Sequence, residues 1–301
     1  MGNIALITVP GVSSAANLQK LTRDPVLKGA GNGALFGFDL SFDWSYDAET
    51  APANAKTVRS IASAWDATDA EILTEAGEVQ IRAGQTLTNA GGGLDFSAVT
   101  RDANVVRGPA GVLAPLQAAQ EFCVISWFKM PSLADWNSGS TIAPIFTTSD
   151  ANGYPAGPDL LTICQEDDPL ISARRQTNGA GTIEKLEIAD LSNFYGQVTQ
   201  VMYARTASQS YFRLKSALGE VTVTGAAGAL NTGDLTGLRP QWGVVEAFNN
   251  LLDGSSFAEH QDASNYRLYR GYIENLAVSG RAPIALADES WAKVSAMHDY
   301  S

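Results

Sequence analysis

The sequence predicts an all-β fold: antiparallel sheets packed face to face as a β-sandwich, with an N-terminal attachment segment and a short C-terminal helix. Three observations predict it. Short runs that alternate apolar and polar residues, or that are continuously apolar, recur at intervals of roughly 8 to 15 residues, about a dozen in all. Clusters such as "TNAGGG", "SDANGYPAGPD" and "RQTNGAGT" separate them, and Gly, Asn, Asp and Pro supply the backbone angles and local hydrogen bonds that tight turns need. Helical periodicity is confined to the two ends of the chain, so the strand–helix alternation of a nucleotide-binding α/β fold is missing.

Taken in order, "SSAANLQKLTRD" at 13–24 opens on a serine cap and places Leu18 and Leu21 on one helical face. "ALFGFDLSFDWSYD" at 34–47 alternates, with Phe36, Phe38, Leu40, Phe42, Trp44 and Tyr46 on one side. Its other side carries Asp39 and Asp43 and reads as solvent-facing. Strands follow at "TVRSIASAW", "AGEVQIRAG", "LDFSAV", "EFCVISWFKMP", "TIAPIFTTS", "DLLTICQED", "LISARRQT", "IEKLEIADL", "VTQVMYART", "SQSYFRLKS", "EVTVTGAAG", "PQWGVVEAF" and "YRLYRGYIENLAVSG". "LADESWAKVSAMHDY" at 286–300 closes the chain as a helix with acidic residues in its first turn. The composition shifts near residue 50, which divides the chain into an attachment segment, 1–50, and a sandwich domain, 51–301. Apolar runs in the first 45 residues lack an obvious core of their own, so burial against other copies is expected, in a homo-oligomer such as a trimer.

Composition removes several function classes. The formal net charge is -12, which offers no diffuse positive field to nucleic acid or to an anionic membrane. The N-terminus has no basic region before an apolar run, and no stretch reaches the ~18 apolar residues of a spanning helix. Leu6 stands where a myristoylation signal needs Ser or Thr. The two cysteines, Cys123 and Cys164, each lie in an apolar strand-like run and suit two buried thiols at least as well as one disulfide. No glycosylation sequon occurs, so synthesis in the cytoplasm is expected.

Catalytic signatures are sparse. The two histidines, His260 and His298, fall near no Gly-x-Ser-x-Gly or His-Glu-x-x-His pattern. A glycosidase pair of carboxylates two apart on one strand would point the same way; Glu166 and Asp168 in "CQEDDP" have that spacing, but Pro169 ends the run as a solvated turn would. Near the C-terminus, Tyr266, Arg267, Tyr269, Arg270 and Tyr272 crowd into one strand. Simple alternation puts Tyr266, Leu268, Arg270 and Tyr272 on one face until a bulge changes the register. Such residues serve as ordinary cross-strand pairs, as a protein interface, or as sugar contacts. The polar stretch 247–265 before them carries Asn249, Asn250, Asp253, His260 and Asp262, and with Trp242 it is the expected ligand rim.

The order of these segments resembles a laminin-G-like, concanavalin-type jelly roll over roughly residues 90–291. "GGGLDFSAV" is similar to that family's first strand and "FCVISWFKMPS" to the strand that ends in a Trp and a turn. "APIFTTSD", "LLTICQ", "LISARR" and "QVTQVMYARTASQSYFRLKSALGEV" resemble the paired sheets, and "NYRLYRGYIENLAVSGRAP" the closing strand. This ending, followed by a short helix with a Trp, resembles small jelly-roll proteins of tailed bacteriophages and prophages. The resemblance implies a non-enzymatic virion component of tail, baseplate or tail fibre with a role in adhesion to host-surface glycans. A head-mounted fibre or decoration protein is the alternative within that class; a free-standing lectin-type module, and then a glycan hydrolase, are the readings of other classes. It also implies that calcium can sit at the sandwich rim, where Asp150, Asn152 and Asp159 offer hard oxygen ligands.

Overall fold

A computed structural model of the chain describes residues 24–28, 33–62, 76–81, 84–97, 104–136, 143–148, 159–166, 169–177, 182–244 and 265–301. The strands are β1 (Ala34–Asp39), β2 (Lys56–Val58), β3 (Gly77–Gln80), β4 (Thr88–Ala90), β5 (Gly93–Asp95), β6 (Asn104–Arg107), β7 (Phe122–Lys129) and β8 (Ala143–Thr147). They continue as β9 (Thr162–Glu166), β10 (Leu170–Thr177), β11 (Thr182–Ile188), β12 (Val198–Arg205), β13 (Gln209–Ser216), β14 (Gly219–Ala226), β15 (Gln241–Val244) and β16 (Arg267–Asn275). Among the described residues three α-helices accompany them, α1 (Pro25–Lys28), α2 (Leu276–Ser279) and α3 (Pro283–Met297), with one 3-10 turn at Ala114–Leu116.

Among the described residues the strands form two eight-stranded antiparallel sheets. The first runs β14-β13-β12-β7-β16-β5-β4, with β1 also paired to β16, and the second runs β11-β10-β9-β8-β15-β6-β3-β2. The all-β sandwich read from the sequence is therefore the fold observed. Alternation along β7 shows how one strand serves two layers: Phe122, Val124 and Phe128 face the core between the sheets, whereas Cys123, Ile125 and Trp127 face outward beneath α3. On the second sheet, Val79, Val106, Phe146, Ile163 and Ile171 complete the inter-sheet core.

The outward layer of the first sheet was invisible as a layer in the sequence. Trp127 stacks on Trp291 of α3 with ring centroids 5.1 Å apart, and Leu286, Ala287 and Val294 bury on the same face. Gln200 Nε2 donates to the Ala287 carbonyl at 3.0 Å, and Arg213 and Lys215 both reach Asp288. The helix thus replaces solvent over the middle of the sheet.

Several boundaries move. Residues 34–39, assigned from sequence to the attachment segment, are strand β1 of the sandwich, hydrogen-bonded along β16. Phe36, Phe38, Leu40 and Tyr46 are each no more than 1% exposed, so these apolar side chains are buried within their own chain and give no reason for self-association. β6 was not expected, because Val105 and Val106 are adjacent in a strand too short to show alternation. The expected helix at 13–24 lies almost wholly outside the described residues. Both cysteines are free and buried, Cys123 in the first sheet and Cys164 in the second.

Candidate functional site

The tyrosine–arginine strand is an interior element. A register shift between Leu268 and Arg270 opposite β7 breaks the simple alternation, so that Leu268 and Ile273 join the inter-sheet core while Tyr269 and Tyr272 face α3. At Gly271, between them, a Cβ would stand 2.5 Å from Phe38 and 2.6 Å from Trp242, so only glycine lets the two sheets meet there. Tyr266, Tyr269, Arg270 and Tyr272 are all buried. Arg267 is half-buried and pairs with Asp95 at 3.0 Å. The strand's aromatic and cationic side chains are used inside this chain, which corrects their expected place at an interface. Trp242, expected at a ligand rim, is fully buried between Phe38 and Phe146, with its indole N–H on Ser126 Oγ at 2.8 Å.

Arg270 centres a buried ionic cluster. Its guanidinium meets Asp24 at 2.6 Å and Asp39 at 3.0 Å, and Tyr300 and His298 reach Asp39 from the segment after α3. Burial pushes the Asp39 carboxyl up, but the hydrogen bond from His298, the charges of Arg270 and His298, and the Ser41 hydroxyl outweigh it and hold the group well below the usual carboxylate range. Asp39, expected to face solvent, is 1% exposed. Ser41, His298 and Asp39 are the side-chain types of a hydrolytic triad. Ser41 Oγ does lie 2.9 Å from His298 Nδ1, but the serine hydroxyl also meets Asp39 Oδ1 directly at 2.6 Å, and Arg270 neutralises that carboxylate. The set fastens the C-terminal segment onto β1, beside a pocket of about 170 Å³.

The acidic candidate also changes character. Glu166, read as part of a solvated turn, is 7% exposed and accepts from Ser172, from Arg174 at 2.6 Å and from Lys185 at 3.1 Å. Its carboxyl is raised by burial, yet these hydrogen bonds and charges hold it below its ordinary value. Asp168 lies outside the described residues, as do Asp150, Asn152, Asn249, Asn250, Asp253, His260 and Asp262. Of the calcium candidates only Asp159 is described: it is buried, with its N–H on Gln176 and its carbonyl accepting from Asn231.

What the strand register assembles instead is a polar row on the outward face of the second sheet. Thr57 opposes Glu78, Glu78 opposes Arg107, Arg107 opposes Gln241 and Gln241 opposes Thr147. The row goes on through Thr162, Arg174 and Lys185, so it crosses every strand from β2 to β11 with one polar residue on each. Its middle members, Gln241, Thr147, Thr162 and Arg174, are buried, and Thr147 Oγ1 lies 3.0 Å from Thr162 Oγ1. Its ends are open. At the β2–β3–β6 end an open cleft of about 530 Å³ is lined by Thr57, Gly77, Glu78, Arg107 and Arg239 among others. Arg107 and Glu78 form a cross-strand ion pair at 2.7 Å whose side chains remain 28% and 37% exposed. A Cβ at Gly77 would stand 2.4 Å from the Arg107 carbonyl. Ala55, at the same cleft, holds a φ of 63°, a left-handed conformation rare outside glycine. None of the row's residues carried a signal in the sequence, because each is one polar residue in one strand.

No family model and no curated protein matches the sequence. Solved structures do share its chain path in part. The receptor-binding domain of botulinum neurotoxin mosaic serotype C/D matches with a TM-score of 0.49 and 10% identity, over 84% of this chain and 52% of that one. The CBM2 module of the evolved Dit of Lactobacillus casei BL23 phage J-1 matches with a TM-score of 0.44 and 12% identity, over 81% of this chain and 95% of that one. The CBM40 of the Ruminococcus gnavus IT-sialidase, bound to α2,3-sialyllactose, matches with a TM-score of 0.37 and 9% identity, over 64% and 90%. The chain spans about half the length of the neurotoxin domains it matches.

Proposed function

We propose that this chain is a non-enzymatic β-sandwich module that binds a glycan on the outward face of its second sheet, at the β2–β3–β6 end, and that it serves as a component of a tailed-bacteriophage virion. The observation that carries the binding half is the unbroken polar row. One outward face, that of the first sheet, is apolar and sealed by α3. The other carries a polar residue on each successive strand about 4.8 Å apart, buried along the middle of the row and open at the β2–β3–β6 end, and a ligand covered in hydroxyls needs donors and acceptors at close, regular spacing. The cleft exposes Thr57, Glu78 and Arg107, which supply a hydroxyl, a carboxylate acceptor and guanidinium donors. The virion half is supported by the order of segments that resembles phage jelly-roll proteins, and homo-oligomeric assembly belongs to that half.

The test is a glycan array probed with the full chain, followed by calorimetric titration of any glycan retained. Binding that weakens at least tenfold in Glu78→Ala, and stays unchanged in the exposed Glu187→Gln on β11, supports the module and its location. A chain that retains no glycan, or whose affinity ignores Glu78, sinks that reading. Light scattering of the purified chain and mass spectrometry of purified virions read the other half: a monomer absent from particles would leave a free-standing module.

A further inference from the structure

In this acidic chain almost every described arginine is neutralised or saturated. Arg174, Arg175, Arg213, Arg267, Arg270 and Arg281 each meet a carboxylate. Arg205 is held by four hydrogen bonds to backbone carbonyls, and Arg59 donates to the Trp44 carbonyl. Arg239 is the exception among the described residues: it lines the cleft at the β2–β3–β6 end, is half-buried, and has no carboxylate or carbonyl partner. Arg107 lines the same cleft with only its Nη2 engaged by Glu78, while its Nε is buried without a hydrogen-bond partner.

A half-buried guanidinium keeps only part of its hydration, and a buried donor left unmade costs free energy. Evolution toward stability alone would supply a carboxylate or a carbonyl, as it has at the other arginines. Among the described residues that line it, two guanidinium groups stand against one carboxylate and leave the cleft locally positive within a chain of net charge -12. Because charges beyond about 8 Å are largely screened at physiological ionic strength, the local excess is what a docking group meets. A planar oxyanion can take parallel N–H donors from an arginine fork, which a hydroxyl cannot match.

We infer that the cleft between Arg107 and Arg239 is an oxyanion subsite, and that the glycan taken by this module carries a carboxylate, as a uronic-acid oligosaccharide does. The inference rests on the glycan-binding reading above. Thr57 and the outer end of the polar row lie beside the anion position and are available to the ring hydroxyls, while Glu78 holds Arg107 in place and discourages a second acidic group from approaching on its side.

The experiment titrates the full chain by calorimetry with a uronic-acid oligosaccharide, with the neutral oligosaccharide of the same backbone, and with acetate and inorganic phosphate. Arg239→Ala is the informative variant, because this side chain makes no hydrogen bond or ion pair among the described residues and the fold should persist, as checked by the unfolding midpoint. The expected result is binding of the uronic-acid oligosaccharide at least tenfold tighter than the neutral one, a preference abolished in Arg239→Ala and weakened by salt. Equal affinity for both oligosaccharides overturns the oxyanion subsite and leaves the glycan module standing. Phosphate or acetate binding as tightly as the saccharide overturns it in favour of a free-anion site. Failure of every saccharide on the calorimeter and on the array removes the module itself.

Discussion

At the residue scale, the chain's charges are placed by what the fold leaves around them. The Arg270 side chain is 3% exposed and bridges the side chains of Asp24 and Asp39, which are 9% and 2% exposed. A buried ion pair adds little over an apolar replacement, but breaking one strands the partner charge. Arg270→Met should therefore destabilise the protein by about 3–5 kcal/mol, read as a shift in the urea unfolding midpoint. Adding Asp39→Asn to that variant should restore part of the loss, since a neutral amide is cheaper to bury than an unpaired carboxylate. If the double variant is as unstable as the sum of the singles, the two groups are not coupled and the cluster is misassigned. Arg239, which has no such partner, should tolerate truncation with little effect on the midpoint. That contrast between two arginines separates a structural charge from one held in readiness.

At the scale of elements, α3 decides which face of the sandwich can meet a ligand. The helix reads clearly in sequence from Trp291 and Val294, although it starts at Pro283, ahead of the expected start, so that Asp288 and Glu289 fall beyond its first turn; the surface it covers does not read in sequence at all. That surface is the outward side of β7, β12 and β16, where Trp127, Met202 and Tyr272 bury. Trp291→Ala removes the ring stacked on Trp127 and should cost about 2 kcal/mol, less than the ~3–5 kcal/mol of a fully buried aromatic because Trp291 is only half-buried. Hydration of the Trp127 indole should move the tryptophan emission to longer wavelength. Leu133→Ala, at a side chain 61% exposed, is the control and should stay within about 0.5 kcal/mol of the parent. An unchanged emission in Trp291→Ala would mean that α3 does not lie on β7.

At the scale of the molecule, stability should fall on the acid side. The Asp39, Asp95 and Glu166 carboxyls all have folded values below their ordinary ones, burial being outweighed in each by hydrogen bonds and positive charge. A depressed carboxyl contributes stability that is complete above its unfolded pKa, about 4, and is lost as the pH falls through the folded value. The free energy of unfolding should thus be level at neutral pH and decline from about pH 5 towards about pH 2. Asp39→Asn should lower the plateau and flatten the decline; a parallel curve would show that Asp39 does not carry the effect. The thiols should be inert in the native state, since burial pushes the Cys164 thiol up to about 11 and the Cys123 thiol well above its ordinary value, so labelling should report unfolding.

By itself the sequence determined that this chain is a sandwich of antiparallel sheets, and most of its strands, because an amphipathic strand writes its burial into a period of two and its turns into Gly, Asn, Asp and Pro. It also determined the terminal helix. It misled at Trp242, Arg270 and Glu166, since an aromatic or charged side chain reads alike whether it meets solvent or a partner that lies 116, 231 or 8 residues away. The candidate site was illegible for the same reason. Thr57, Glu78, Arg107 and Gln241 become one row only when four strands from separate parts of the chain are set side by side in one register. A shift of one residue in any of those pairings would turn its polar member inward, so the tertiary structure alone decided that these residues form one row and that the row ends in the cleft beside Arg239.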